Sequence, residues 1–151
     1  AHYRAPLNIN EEAIETAKKE LNRVSTAMKQ AYVKLALEDV EITDTFDEGA
    51  WKPFIEAMQD DLNTPNAFAA VFETVKSLNQ MLRQREADLQ KVAELTVTLE
   101  KMMYVLGIDI PRLQMSEEDK ELHRLWKAAV KEKDFETADQ YRAQLIEKGI
   151  L

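Results

Sequence analysis

The chain contains no cysteine. That excludes disulfides, thiolate-held zinc and a cysteine nucleophile. Two histidines, His2 and His123, are too few for a histidine-built metal site. With three glycines and four prolines in 151 residues, turn-dense all-β folds and low-complexity chains fit poorly. No glycine-rich phosphate loop, nucleophile elbow, HExxH pair or EF-hand loop is present. No apolar run approaches the roughly 20 residues of a membrane span, and no signal peptide is visible. A cytoplasmic location without a membrane partner is the expectation.

What is there suits a packed core, with 45% hydrophobic and 32% charged residues. The formal net charge of −8 argues against non-specific nucleic-acid binding, and no DNA partner is expected. The charge is concentrated. Residues 38–62 hold nine acidic residues and one basic, whereas the other segments are nearly balanced. The acidic stretch reads as a solvated loop leading into a short helix.

The apolar spacing is helical throughout. Ile14, Ala17, Leu21, Val24, Met28, Tyr32 and Leu35 recur at steps of three and four, predicting a long helix over about residues 10–37 with Asn10 as its N-cap. Trp51, Phe54, Ile55 and Met58 mark a short second helix. Asp60-Asp61 reads as a terminating and capping pair, since adjacent helical carboxylates diverge and cannot share a ligand. Asn63 or Thr64 can cap a third helix, with Pro65 at its first position. Phe68, Val71, Phe72, Val75, Leu78 and Leu82 form its stripe. Leu89, Val92, Ala93, Thr96, Leu99, Met103 and Leu106 form the fourth, closed by Gly107. Residues 108–115 read as a connector. Ser116, with Asp119 three residues on, opens a final pair of helices. Their stripes are Leu122, Leu125, Trp126, Ala129 and Val130, then Phe135, Ala138, Tyr141, Leu145 and Ile146, with a break at Lys133-Asp134. The expected fold is all-α: an antiparallel helical bundle over 1–107, then a small two-helix piece over 116–151.

Few residues suggest chemistry. His123 falls on the polar side of its helix beside Arg124. Trp126 reads as core. Lys120, Arg124, Lys127 and Lys131 lie at steps of four, three and four and form one ridge, with Lys133 just beyond. Such a ridge can meet phosphates. It can equally be neutralised by Glu117, Glu118 and Glu121 as ordinary helical partners. The residues alone leave both readings open.

Three segments together resemble one family. His2-Tyr3-Arg4-Ala5-Pro6-Leu7-Asn8 resembles the HYRSPLN segment of cysteinyl-tRNA synthetases, where the chain enters the helical bundle. Residues 54–67, Phe-Ile-Glu-Ala-Met-Gln-Asp-Asp-Leu-Asn-Thr-Pro-Asn-Ala, resemble that family's F..AMDDDFNTP.AL segment. Lys133-Asp134-Phe135, Ala138-Asp139, Arg142, Leu145 and Gly149-Ile150 resemble its terminal KDF..AD..R..L...GI pattern. They occur in the family's order and span nearly the whole chain.

The resemblance implies a C-terminal fragment: a DALR-type bundle along the anticodon stem of cysteine tRNA, and an anticodon-reading piece over 116–151. The expected tRNA-binding residues are Arg124, Lys127, Lys131, Lys133, Asp139 and Arg142. Asp139 would accept a hydrogen bond from a base amine, or else simply pair with Arg142 one turn on. No catalytic role is expected of the fragment, since the HIGH and KMSKS motifs and the zinc site of this class I family are absent from it. ATP and zinc would belong to the parent ligase, and the catalytic domain of the same chain would be a partner. The sequence departs from the family at Val130, where arginine is common, and at Trp126, where many members are polar. It also stops at Leu151, where the family continues, so 116–151 is expected to be shortened. The alternative is a structural or partner-binding bundle without tRNA recognition.

Overall fold

A computed structural model describes residues 11–60 and 64–151. The expected cap at Asn10, the segment 2–8 and the residues Asp61 and Asn63 lie outside the described residues. The chain forms six helices: α1 (Glu11–Leu37), α2 (Glu48–Gln59), α3 (Thr64–Arg83), α4 (Leu89–Val105), α5 (Glu117–Lys131) and α6 (Phe135–Glu147). No strand occurs among the described residues.

The stripes converge as their spacing dictates. Val24, Met28, Ala31 and Leu35 of α1 are buried with Phe54 of α2, Val71, Val75 and Leu78 of α3, and Val92, Leu99 and Met102 of α4. These four helices share one core, and α3 touches each of the others. Phe72, read as a stripe position of α3, is only half-buried. It stacks on Phe68 at 6.2 Å and lies under the Arg23 guanidinium at 5.9 Å. The phenylalanine that is buried is Phe54, fully enclosed.

Helix ends explain the path of the chain. α1, α4, α5 and α6 all stop at a residue of positive φ: Asp39, Gly107, Lys133 and Gly149. In each, the next N–H reaches back to the carbonyl five residues earlier, as from Ile108 to Met103 at 2.8 Å. This closing geometry satisfies carbonyls the helix leaves open. Glycine adopts it freely; Asp39 and Lys133 do so against side-chain crowding. Asp47, Asp88, Ser116 and Asp134 cap the starts of α2, α4, α5 and α6.

The acidic stretch is not simply solvated. Asp47 accepts from the Ala50 N–H at 3.0 Å and is ion-paired with Lys91 of α4, while its own N–H donates to the Thr98 hydroxyl at 2.8 Å. The Lys91 ammonium holds the Asp47 carboxyl below the usual carboxylate range. Asp60 is the C-cap residue of α2.

The connector lies along the bundle. Ile108, Ile110 and Leu113 pack on the main core. Arg112 donates to both Glu100 oxygens, at 2.7 and 2.9 Å, and the Tyr32 hydroxyl donates to the same carboxylate at 2.6 Å. Beyond it, α5 and α6 pack on each other and on the end of α1. Val33 of α1, Leu145 of α6 and Ile150 form a second, smaller core with Leu37, Met115, Leu122 and Trp126 at its edge.

Candidate RNA interface

The α5–α6 hairpin begins at a reciprocal cap. The Asp119 N–H donates to Ser116 Oγ and the Ser116 N–H to Asp119 Oδ2, both at 3.1 Å. Asp119 Oδ1 is buried, and Lys148 Nζ sits 3.1 Å away, tying the start of α5 to the end of α6. The Ser116 N–H and then Lys148 pull the Asp119 carboxyl below its ordinary range. The turn between the helices uses the left-handed Lys133, after which Asp134 accepts from the Thr137 N–H at 3.3 Å.

A hairpin of two helices has little to bury against, and the structure corrects the expected stripes accordingly. Leu125, Val130, Phe135 and Ile146, all read as apolar-stripe positions, are exposed. His123, read as polar-side, is buried. It sits one turn before Trp126 on the covered face and meets that indole edge-on at 5.3 Å. Burial, with the Lys127 charge, lowers its pKa below the usual histidine value. Trp126 itself is half-buried at the edge of the second core.

The basic ridge is broken at its first member. Lys120 turns inward, 2.8 Å from Asp39 and 3.3 Å from Glu117. Arg124 is exposed, 3.5 Å from Glu121. Lys127 lies over the Trp126 ring at 5.4 Å. Lys131 and Lys133 are exposed, without a carboxylate in ion-pair range among the described residues.

On α6, Asp139 and Arg142 are both exposed, and no ion pair joins them. With Phe135 and Ile146 they occupy positions i, i+4, i+7 and i+11, one face of the helix. Phe135 is 60% exposed and is the residue sequence reasoning missed. Its spacing to Asp139 and Arg142 was the available signal.

A separate concavity lies elsewhere. A cavity of about 790 Å³ opens between α2, α3 and α4, floored by Ala57 and Ala70 and rimmed by Asp47, Glu56, Asp60 and Glu73. Its carboxylates oppose a phosphate ligand. It holds none of the expected site residues. Among the described residues no cluster of His, Asp or Glu is placed to hold a metal ion, and no helix is long and apolar enough to cross a membrane.

Comparison with known proteins places these elements. Residues 53–110, from within α2 to the connector, match the DALR domain family. Beyond that match, the chain is 35% identical over 154 residues to the cysteine–tRNA ligase of Mesoplasma florum, with 99% of this chain and 34% of that protein aligned. It is 32% identical over 159 residues to the Geobacillus thermodenitrificans ligase, covering 99% and 33%. It is 35% identical over 167 residues to that of Thermococcus gammatolerans, covering 99% and 34%. The chain thus spans about a third of the length of the curated relatives it matches. Over nearly all its length, the chain belongs to the cysteinyl-tRNA synthetase family, as the helical region that carries the DALR domain.

Proposed function

We propose that this chain is the tRNA-binding region of a cysteine–tRNA ligase and that its α5–α6 hairpin reads the anticodon loop of cysteine tRNA. The observation that carries the reading is the exposed face of α6. An aromatic ring, a carboxylate and a guanidinium stand on it at Phe135, Asp139 and Arg142, just past Lys131 and Lys133. Single-stranded RNA is recognised by stacking its splayed bases on such rings and hydrogen-bonding their edges. Phe135 supplies the stacking surface. Asp139 accepts from an exocyclic amine, Arg142 donates to a base edge or phosphate, and the lysines with Arg124 and Lys127 meet the backbone. Val130 offers an apolar contact where an arginine would offer a charge. In this reading the remainder of the ligase performs the ATP-dependent transfer of cysteine and holds any zinc. This chain positions the tRNA for it.

The test is a titration of labelled cysteine-tRNA transcript at low salt, beside a transcript with altered anticodon bases. Preference for the native anticodon is expected, and Phe135→Ala and Asp139→Asn should abolish it. Equal binding of both transcripts by the wild-type chain would overturn the reading in favour of a structural bundle.

A further inference from the structure

Small side chains open the groove between α2, α3 and α4. Ala57 of α2 and Ala70 of α3, both buried, form its floor with Leu95 of α4. Ala50, Ala69 and Pro53 line the walls. Side chains this short leave about 790 Å³ between the helices, a volume of the order that holds a small molecule. Along α2 the lining runs from Gly49 to Asp60, roughly 16 Å of helix axis.

The rim carries charge of one sign without its counterpart. Glu56 and Asp60 of α2 and Glu73 of α3 stand on it, all exposed. α2 has no basic residue in its last turn, where open carbonyls favour a cation. Lys91 is the one lysine or arginine lining the groove among the described residues, and Asp47 holds it. Lys52 comes no closer to Glu56 than 3.9 Å, with both side chains well exposed. Asp60 and Glu73 have no cation within ion-pair distance among the described residues.

The spacing of these groups selects the cation. Protein ligands to a metal ion converge on one point. Among the described residues no three carboxylates or histidines are so placed. The carboxylates are instead spread around an apolar floor, and no aromatic ring among the described residues lines it to cage a quaternary ammonium. Phosphate is repelled. The complementary ligand has its positive charges apart, with methylene groups between them to cover the alanines.

We infer that the groove between α2, α3 and α4 binds a linear aliphatic polyamine. Its methylenes lie on Ala57 and Ala70, and its ammonium groups meet Glu56, Asp60 and Glu73. The site is independent of the loop reading, because neither Phe135, Asp139 nor Arg142 lines it.

The experiment uses the 151-residue chain and isothermal titration calorimetry at fixed low ionic strength. The ligands are butylamine, the three-, four- and five-carbon diamines, spermidine, magnesium ion and a lysine–alanine peptide. Circular dichroism confirms the fold of each variant. Spermidine should bind with a stoichiometry of one and more tightly than magnesium or butylamine, and the diamines should differ among themselves although their charge is the same. Asp60→Asn with Glu73→Gln should weaken spermidine on the order of tenfold. Ala69→Leu places bulk in the groove at an exposed position and should weaken it as much with no change in charge. Glu86→Gln, away from the groove, and Phe135→Ala should leave binding as it was. Affinities that follow ligand charge alone, with Ala69→Leu without effect, would overturn the inference and leave only a counterion atmosphere. Tighter binding of the lysine–alanine peptide than of spermidine, lost in Ala69→Leu, would also overturn it and give the groove to a polypeptide.

Discussion

Lys120 of α5 directs its ammonium at Asp39, 81 residues earlier in the chain, with Nζ 2.8 Å from Oδ1. Its side chain is only 12% exposed. The contact joins the hairpin to the left-handed residue that ends α1, and it removes Lys120 from the ridge its spacing suggested. Hydrogen bonding to Lys120 holds the Asp39 carboxyl below its ordinary range and raises the Lys120 pKa. Lys120→Met should therefore leave the salt slope of RNA binding unchanged. It should instead speed amide hydrogen exchange in α5 and α6. A reduced slope would put Lys120 back on the RNA.

The two cores should differ in how they fail. Leu78 and Leu145 are both fully buried, one in the four-helix core and one in the small core under the hairpin. Each truncation to alanine should cost roughly 2–5 kcal/mol. Leu78→Ala should lower the main urea midpoint. Leu145→Ala should release α5 and α6 while α1–α4 keep their helicity, seen as a separate early transition. Phe72→Ala should fall below the roughly 3–5 kcal/mol of a buried phenylalanine, because its ring is only partly covered.

His123 predicts a pH dependence. Its folded pKa lies below the unfolded value, because burial disfavours the imidazolium and Lys127 opposes it. The unfolded histidine takes up its proton near pH 6.5, where the folded one resists. Stability is therefore full above that pH and declines as pH falls from there toward the folded pKa. His123→Phe should remove this decline, leaving an acid transition below about pH 4. That one arises as Asp47 and Asp119, whose folded pKa values are lowered, are protonated. An identical pH profile in wild type and variant, followed by tryptophan fluorescence, would count against it.

Lys133 links stability to binding in opposite senses. Its positive φ is one that glycine adopts without side-chain crowding. Lys133→Gly should stabilise the chain by about 0.5–1 kcal/mol, read as a raised Tm. It also removes a cation from the turn that leads into Phe135, so RNA affinity should fall. A drop in Tm would contradict the strain.

The carboxylate of Glu100 should control the connector. Tyr32 and Arg112 both donate to it. Glu100→Ala leaves both donors without that partner and should open residues 108–115 to limited proteolysis before α1–α4 unfold. Equal cleavage rates would show that Ile108, Ile110 and Leu113 hold the connector by burial alone.

The helices were legible because their information is local. Steps of three and four, the cap Ser116, the break at Lys133-Asp134 and the stop at Gly107 act within a turn or two of chain. The acidic stretch was legible only in part: its charge was evident, but the pairings of Asp39 with Lys120 and Asp47 with Lys91 cross 81 and 44 residues. The candidate interface divided in the same way. The spacing of Lys127, Lys131, Asp139 and Arg142 identified exposed positions, yet the same logic assigned Phe135 and Ile146 to a core and His123 to solvent.

Sequence alone determined that this chain is helical, where its helices start and stop, and which family's segments it carries. Tertiary structure decided which faces meet. Periodicity specifies the direction of a stripe but not whether another element arrives to cover it. A four-helix core covers most of the stripes offered to it, so the prediction there largely held, with the half-covered Phe72 and the exposed Leu21 among the exceptions. The hairpin has one partner and the tip of α1, too little surface for both of its apolar flanks. Phe135 is left in solvent for that reason, and Val33, on the outer face of α1, is buried.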